Sequence, residues 1–219
     1  MKLINNYIYE KLVINKNTGK NQKKLQYKYF PETKKELKKI INQRIKEEEN
    51  KCDLNDIDVS EITDMSRLFE NLDIKNIDIS QWDVSKVENF YSMFANCSDL
   101  KSIGDISSWD LHSATNLHAM FYGCFSLKSI GDISRWNVSN VTTICTMFCY
   151  CGDLKEIGDL SSWDVSNVKD MKSMFFSCSS LKDIGDLNKW KISISNPSDY
   201  DDMFNRSSII DRPNWYKGK

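Results

Sequence analysis

The chain has 219 residues, enough for one large domain or two small ones, and its 40% hydrophobic content is ordinary for a folded soluble protein. No run of about 18 apolar residues occurs, which excludes a membrane-spanning helix, and the start MKLINNYIYEKLVIN lacks the unbroken apolar core of a secretory signal, so the expected location is the cytoplasm. The net charge of −1 hides an asymmetry, with 13 Lys and Arg against 6 Asp and Glu in residues 1–50 but 17 against 25 in the rest.

That asymmetry reads as attraction between the two parts. A basic nucleic-acid arm is the weaker reading, because the lysines are scattered through an amphipathic pattern and form no tract. Leu3 to Ile14 alternate as a strand does, Asn15 to Lys20 turn around Gly19, and Leu25, Tyr27 and Tyr29 resume the alternation, which predicts a β-hairpin. After Pro31, Thr33 with Glu36 three residues on forms a capping box, and Leu37, Ile40, Ile41 and Ile45 share one helical face. A helix from about Thr33 to Glu49 follows, and residues 1–50 are expected to cap what comes next.

Residues 51–219 are organised by a period. Tryptophan recurs every 27 residues at Trp82, Trp109, Trp136, Trp163 and Trp190, and the four full units keep nine identical columns that read W, MF, C, LK and IGD. The unit from Ile57 to Gln81 matches at a spacing of 25, and the one from Trp190 gains two residues before Met203 and Phe204, contains Pro197 and puts Ser207 where the others have Cys. Drift at both ends suits capping repeats. Within a unit the apolar residues fall every third position, as at Val84, Val87, Phe90, Met93, Phe94, Cys97, Leu100, Ile103 and Ile106. The predicted architecture is α/β: a leucine-rich-repeat-like solenoid of about six rungs, with short strands and short helical turns, capped by the hairpin and helix. Gly104, Gly131, Gly158 and Gly185 form a column that suits a bulge or a positive φ.

The string WDVSNV at Trp163, its near copies at Trp136 and Trp82, and the MFxxC that follows resemble the BspA-like bacterial surface-protein repeats, relatives of the leucine-rich repeats. The lead-in YKYFPETKKELKKII and the segment DLNDIDVSEITDMSRLF extend the similarity over roughly residues 27 to 206. The resemblance implies a non-enzymatic scaffold for protein binding or adhesion, often displayed at the bacterial surface or secreted.

Several columns carry chemistry. Cys97, Cys124, Cys151 and Cys178 should stand above one another at about 4.8 Å, close enough for a disulfide, but a buried reduced ladder is favoured because cysteine is small and commonly buried. Cys145, Cys149 and Cys151 crowd one repeat, with His118 in the column of Cys145; C-x3-C-x-C is no strong zinc signature, so no metal site is assigned. His112 reads as a surface substitution for serine. Asp105, Asp132, Asp159 and Asp186 read as caps on turn N–H groups, partly neutralised by Lys101, Lys128, Lys155 and Lys182, and Asp83, Asp110 and Asp164 as another turn device. A cation-binding or charged recognition strip is the alternative for the first aspartate set.

No nucleophile–base set recurs and no glycine-rich phosphate loop appears, so no catalytic residue and no cofactor is assigned. Specificity should sit where the repeats differ. Tyr91, Tyr122, Phe125, Tyr150 and Phe176 are the candidate partner-binding residues, because the apolar beat leaves them outward; folding over the core edge is the competing role. The expected partner is another protein, with self-association as the alternative.

Overall fold

The computed structural model describes residues 9–10, 26–48, 51–193 and 196–218. Strand β1 (Tyr9–Glu10) pairs antiparallel with β2 (Gln26–Tyr27), Tyr9 facing Tyr27. The rest of the predicted hairpin, including its turn at Gly19, lies outside the described residues. Helix α1 (Lys34–Glu48) follows. Thr33 caps it, its Oγ1 accepting the Glu36 N–H at 3.2 Å, but Glu36 returns the bond to the Glu32 N–H (3.0 Å) and not to Thr33. Leu37 and Ile41 are buried, and Ile40 and Ile45 pack partly buried against the same core, as their spacing requires.

The expected α/β leucine-rich-repeat-like solenoid of about six rungs is not what the chain forms. Among the described residues α1 is the one α-helix, and the parallel strands are two: β3 (Lys51–Asp53) and β4 (Asn76–Asp78), with Cys52 opposite Ile77. Among the described residues no strand-and-helix unit recurs. Beyond β4 the repeated segments are mostly irregular, punctuated by three-residue 3-10 turns such as Leu160–Ser162 and joined by single parallel bridges, Asn89 to Asn116, Asn116 to Thr143 and Thr143 to Asp170.

The backbone explains why strands do not form. Phe90, Ser92, Phe94 and Asn96 all donate their N–H groups to the next repeat, at Asn116, His118, Met120 and Tyr122 (2.7–2.9 Å), while Asn89, Tyr91, Met93 and Ala95 accept from the preceding one. A parallel strand would share its bonds between both neighbours in alternation. Elsewhere in the repeat Thr115 and Thr142 donate back to Glu88 and Thr115, but within this run the peptide planes that bond between repeats point one way, and the planes between them close tight turns, such as Met93 N–H to Phe90 O at 3.1 Å. Such a run needs a left-handed residue at every fourth position, and Ser92 (φ 53°) and Asn96 (φ 60°) supply it.

This ladder puts equal letters side by side. Phe69, Phe94, Phe121, Phe148, Phe175 and Phe204 stack with near-parallel rings and centroids 5.0–5.9 Å apart. Each of the five tryptophans of the 27-residue period is buried and donates its Nε1–H to a carbonyl of the preceding repeat, as Trp136 does to Ile106 O at 3.1 Å. Trp215, which the 27-residue period does not reach, completes the column: it stacks on Trp190 at 6.3 Å and donates to Leu187 O at 2.9 Å.

Trp136→Ala should therefore destabilise the protein by roughly 3 to 5 kcal/mol, through the cavity left in the core and the lost indole hydrogen bond to Ile106 O. Thermal unfolding reads this directly. An unchanged Tm would contradict the assignment of Trp136 to the core.

Candidate functional site

The five outward aromatic residues divide into two groups. Tyr150 is a hub: Tyr122 meets it edge-on at 5.8 Å, Phe125 at 6.0 Å and Phe176 edge-on at 5.3 Å. The Arg206 guanidinium lies 5.7 Å over the Phe176 ring. Phe125 is 50% exposed, and the other three are half-buried, so together they form a surface cluster and not part of the closed core. Tyr91 stands apart from them. Its ring lies 5.3 Å from His118 and 5.1 Å beneath Arg67, whose Nη2 donates to the Tyr91 hydroxyl at 3.3 Å. That bond holds the Tyr91 phenol below its usual range, whereas burial pushes Tyr122 up.

Tyr150 also sits in left-handed backbone (φ 63°), where the two preceding repeats have Asn96 and Gly123. A non-glycine residue there costs on the order of 1 kcal/mol. Keeping a bulky ring at a strained position favours a use for that ring.

The cysteine column is a set of buried donors. The Sγ–H groups of Cys97, Cys124, Cys151 and Cys178 donate to the carbonyls of Phe69, Phe94, Phe121 and Phe148 at 3.0–3.1 Å. All seven cysteines are unpaired and buried. Burial pushes the Cys97 thiol up to about 11 and the Cys149 thiol to about 12, and raises Cys124, Cys151 and Cys178 too. Thiolate is the reactive form, so these groups are inert. A disulfide-exchange reagent at about pH 8 should label none of the ladder cysteines in the native protein and all seven cysteines in denaturant. Rapid native labelling of Cys124 or Cys151 would be incompatible with this packing.

The glycine and aspartate columns interlock. Gly131, Gly158 and Gly185 have φ of 81–88°, and a Cβ on Gly158 would fall on Asp132 Oδ1. Each aspartate caps a turn: Asp132 accepts the Ser134 N–H at 2.9 Å, Asp159 that of Ser161 at 2.8 Å and Asp186 that of Asn188 at 3.0 Å. Asp83, Asp110 and Asp164 cap the N–H groups of Ser85, His112 and Ser166 in the same way. Among the described residues no ion pair joins Lys101, Lys128, Lys155 or Lys182 to these carboxylates, so the expected neutralisation is not by contact. Gly131, Asp132, Lys155, Asp159 and Lys182 instead line an open polar groove of about 1000 Å³.

Hydrogen bonds from the turn hold Asp132, Asp159 and Asp186 below the usual carboxylate range. A depressed folded-state value adds stability that is full above the unfolded pKa of about 3.9 and is lost as pH falls through the folded value. The Tm should hold from neutrality to about pH 5 and drop below about pH 4. A Tm that climbs on acidification would contradict the capping role.

A third cluster was only half visible in the sequence. His118 and Cys145, which share a column, do meet, but Cys149 and Cys151 do not join them; Asp170, from the repeat after, does. Cys145 is buried, and its thiol is pushed up to about 12 by that burial and by Asp170. His118 is half-buried and lowered by desolvation, against the pull of Asp170. Asp170 gave no signal in the sequence because its column holds Asn89, Asn116 and Thr143 in the three preceding repeats and other carboxylates only toward the ends, at Asp64 and Asp199.

These features define a repeat protein with a continuous aromatic and thiol core and chemically varied flanks. The chain belongs to the family described as Mycoplasma protein of unknown function, DUF285, whose model matches residues 35–131 and 104–215. No curated protein and no solved structure gives a match. Among the described residues no helix is long and apolar enough to cross a membrane.

Proposed function

We propose that the chain is a non-enzymatic protein-binding scaffold that takes its partner on the cluster of Tyr122, Phe125, Tyr150 and Phe176. The observation that carries this reading is a large aromatic ring held at strained backbone in Tyr150, with an exposed neighbour in Phe125 and a cation over the cluster's edge in Arg206. Rigid aromatic residues flanked by arginine dominate protein interfaces because they bury much area at low entropic cost. Tyr91, paired with Arg67, extends the surface toward the N-terminal side. The likeness of WDVSNV and MFxxC to the BspA-like, leucine-rich-repeat-related sequences supports the same role and suggests adhesion as its setting.

Buried, unpaired thiols suit a reducing compartment, which favours the cytoplasm over the bacterial surface as the place of action. Fractionation of the native cell decides between them; protein found outside the membrane overturns the cytoplasmic placement. A self-associating module is the second reading, favoured by Ile210, which is 86% exposed near the C-terminal end.

Tyr122→Ala and Phe176→Ala should leave the free energy of unfolding within about 1 kcal/mol of wild type, as surface changes do, while weakening a captured partner at least tenfold. A large loss of stability would assign these rings to the core. Solution mass across a concentration series separates the two readings: dimerisation abolished by Ile210→Lys supports self-association, and a persistent monomer removes it.

A further inference from the structure

We propose that His118, Cys145 and Asp170 bind one divalent ion of the zinc class. The three side chains come from three successive repeats, and one ligand atom of each lies within 4.8 Å of the other two. Metal–ligand bonds of about 2.0–2.3 Å set the ligand atoms of a tetrahedral zinc site roughly 3.3–3.8 Å apart, so rotamer adjustments of about 1 Å close the site.

The scaffold holds the ligands in place. The Ala119 N–H bonds to Cys145 O at 2.9 Å and the Thr146 N–H to Lys172 O at 2.8 Å, which lock the repeats in register on either side of the thiol. Asp170 Oδ1 accepts the Lys172 N–H at 3.1 Å, which orients the carboxylate from its own turn, and the His118 ring lies against the Tyr91 ring at 5.3 Å. The equivalent places in neighbouring repeats hold Tyr91 and Lys172 in one column and Asn116 and Thr143 in the other, which makes this the one level where thiol, imidazole and carboxylate coincide among the described repeats.

The donor set selects the ion. Metal binding displaces the Cys145 thiol proton to solvent, and the resulting thiolate with an imidazole favours zinc-class ions over magnesium or calcium, which prefer all-oxygen sites. Three protein ligands leave a fourth position, and the half-buried His118 and Asp170 open it to water. This inference does not depend on the partner-binding reading, since its test is metal binding alone.

Cobalt(II) added to the chelator-treated full chain should bind one equivalent and produce a thiolate-to-metal charge-transfer band that zinc(II) abolishes by displacement. Cys145→Ala should remove the band, Cys149→Ala should keep it, and His118→Gln and Asp170→Asn should each weaken cobalt binding about tenfold or more. The last two change half-exposed side chains, so they decide the matter if Cys145→Ala does not fold. Absence of the band, its survival in Cys145→Ala, its loss in Cys149→Ala, or unchanged affinity in both His118→Gln and Asp170→Asn overturns the proposal.

Discussion

The structure depends on peptide planes that are aligned along the direction of stacking. Each run of turns offers carbonyls to the repeat before it and N–H groups to the repeat after it, as Asn89, Tyr91, Met93 and Ala95 do on one side and Phe90, Ser92, Phe94 and Asn96 on the other. A buried N–H without a partner costs about 1–3 kcal/mol, so each run is stable only against a neighbour in the same register. Register in turn sets the Phe of each Met-Phe pair on its copy in the next repeat and each Trp Nε1–H on a carbonyl of the preceding one. The constancy of the inward columns is thus a packing condition: a side chain whose neighbours above and below are copies of itself fits best when all copies have one shape.

One-way alignment gives the stack two unlike ends. The first run has no earlier repeat to supply donors, and the basic helix α1 reaches it instead: Lys34 Nζ meets Asp64 Oδ2 and Ser66 Oγ at 2.7 and 2.6 Å, and Lys38 Nζ meets Arg67 O at 2.9 Å. The charge asymmetry between residues 1–50 and the rest is used here as local attraction. Positive side chains at a carbonyl-rich end are favourable for the reason that holds at helix C-termini. At the far end Trp215 and Tyr216 fold back, the Tyr216 ring meeting Phe204 edge-on at 5.0 Å, so the aromatic columns are not left bare.

Which residues would be neighbours was legible in the sequence, because period alone determines it; what conformation they would adopt was not. The three-residue apolar beat is shared by strands with helical turns and by chained tight turns, and only the left-handed residues separate the two. Gly123 could have signalled one, but Ser92, Ala119, Thr146 and Ser173 hold positive φ with no sequence mark of it. The turn aspartates and the buried thiols were readable, since their roles follow from local spacing and from side-chain size. Trp215 and Asp170 were not. The first breaks the 27-residue interval, and the second sits in a column that mixes amides, a hydroxyl and carboxylates, so only contact in space shows what each does.

Inward columns vary only among apolar residues, as Met65, Phe90, Leu117, Ile144 and Met171 do, whereas the flanks vary in chemistry, and both proposed sites lie there. Side chains beside the ladder touch unlike neighbours and are free to differ, so the stack can bring together groups that no single repeat contains. Tyr122, Tyr150 and Phe176 come from three repeats, as do His118, Cys145 and Asp170. Both sets need equal spacing across three repeats. Met65 reaches Asn89 and Met171 reaches Asp199, offsets that break the interval kept from Phe90 to Asn116, Leu117 to Thr143 and Ile144 to Asp170. A composite site that requires constant register can therefore assemble only over the central repeats, and the irregular ends are left to close the stack.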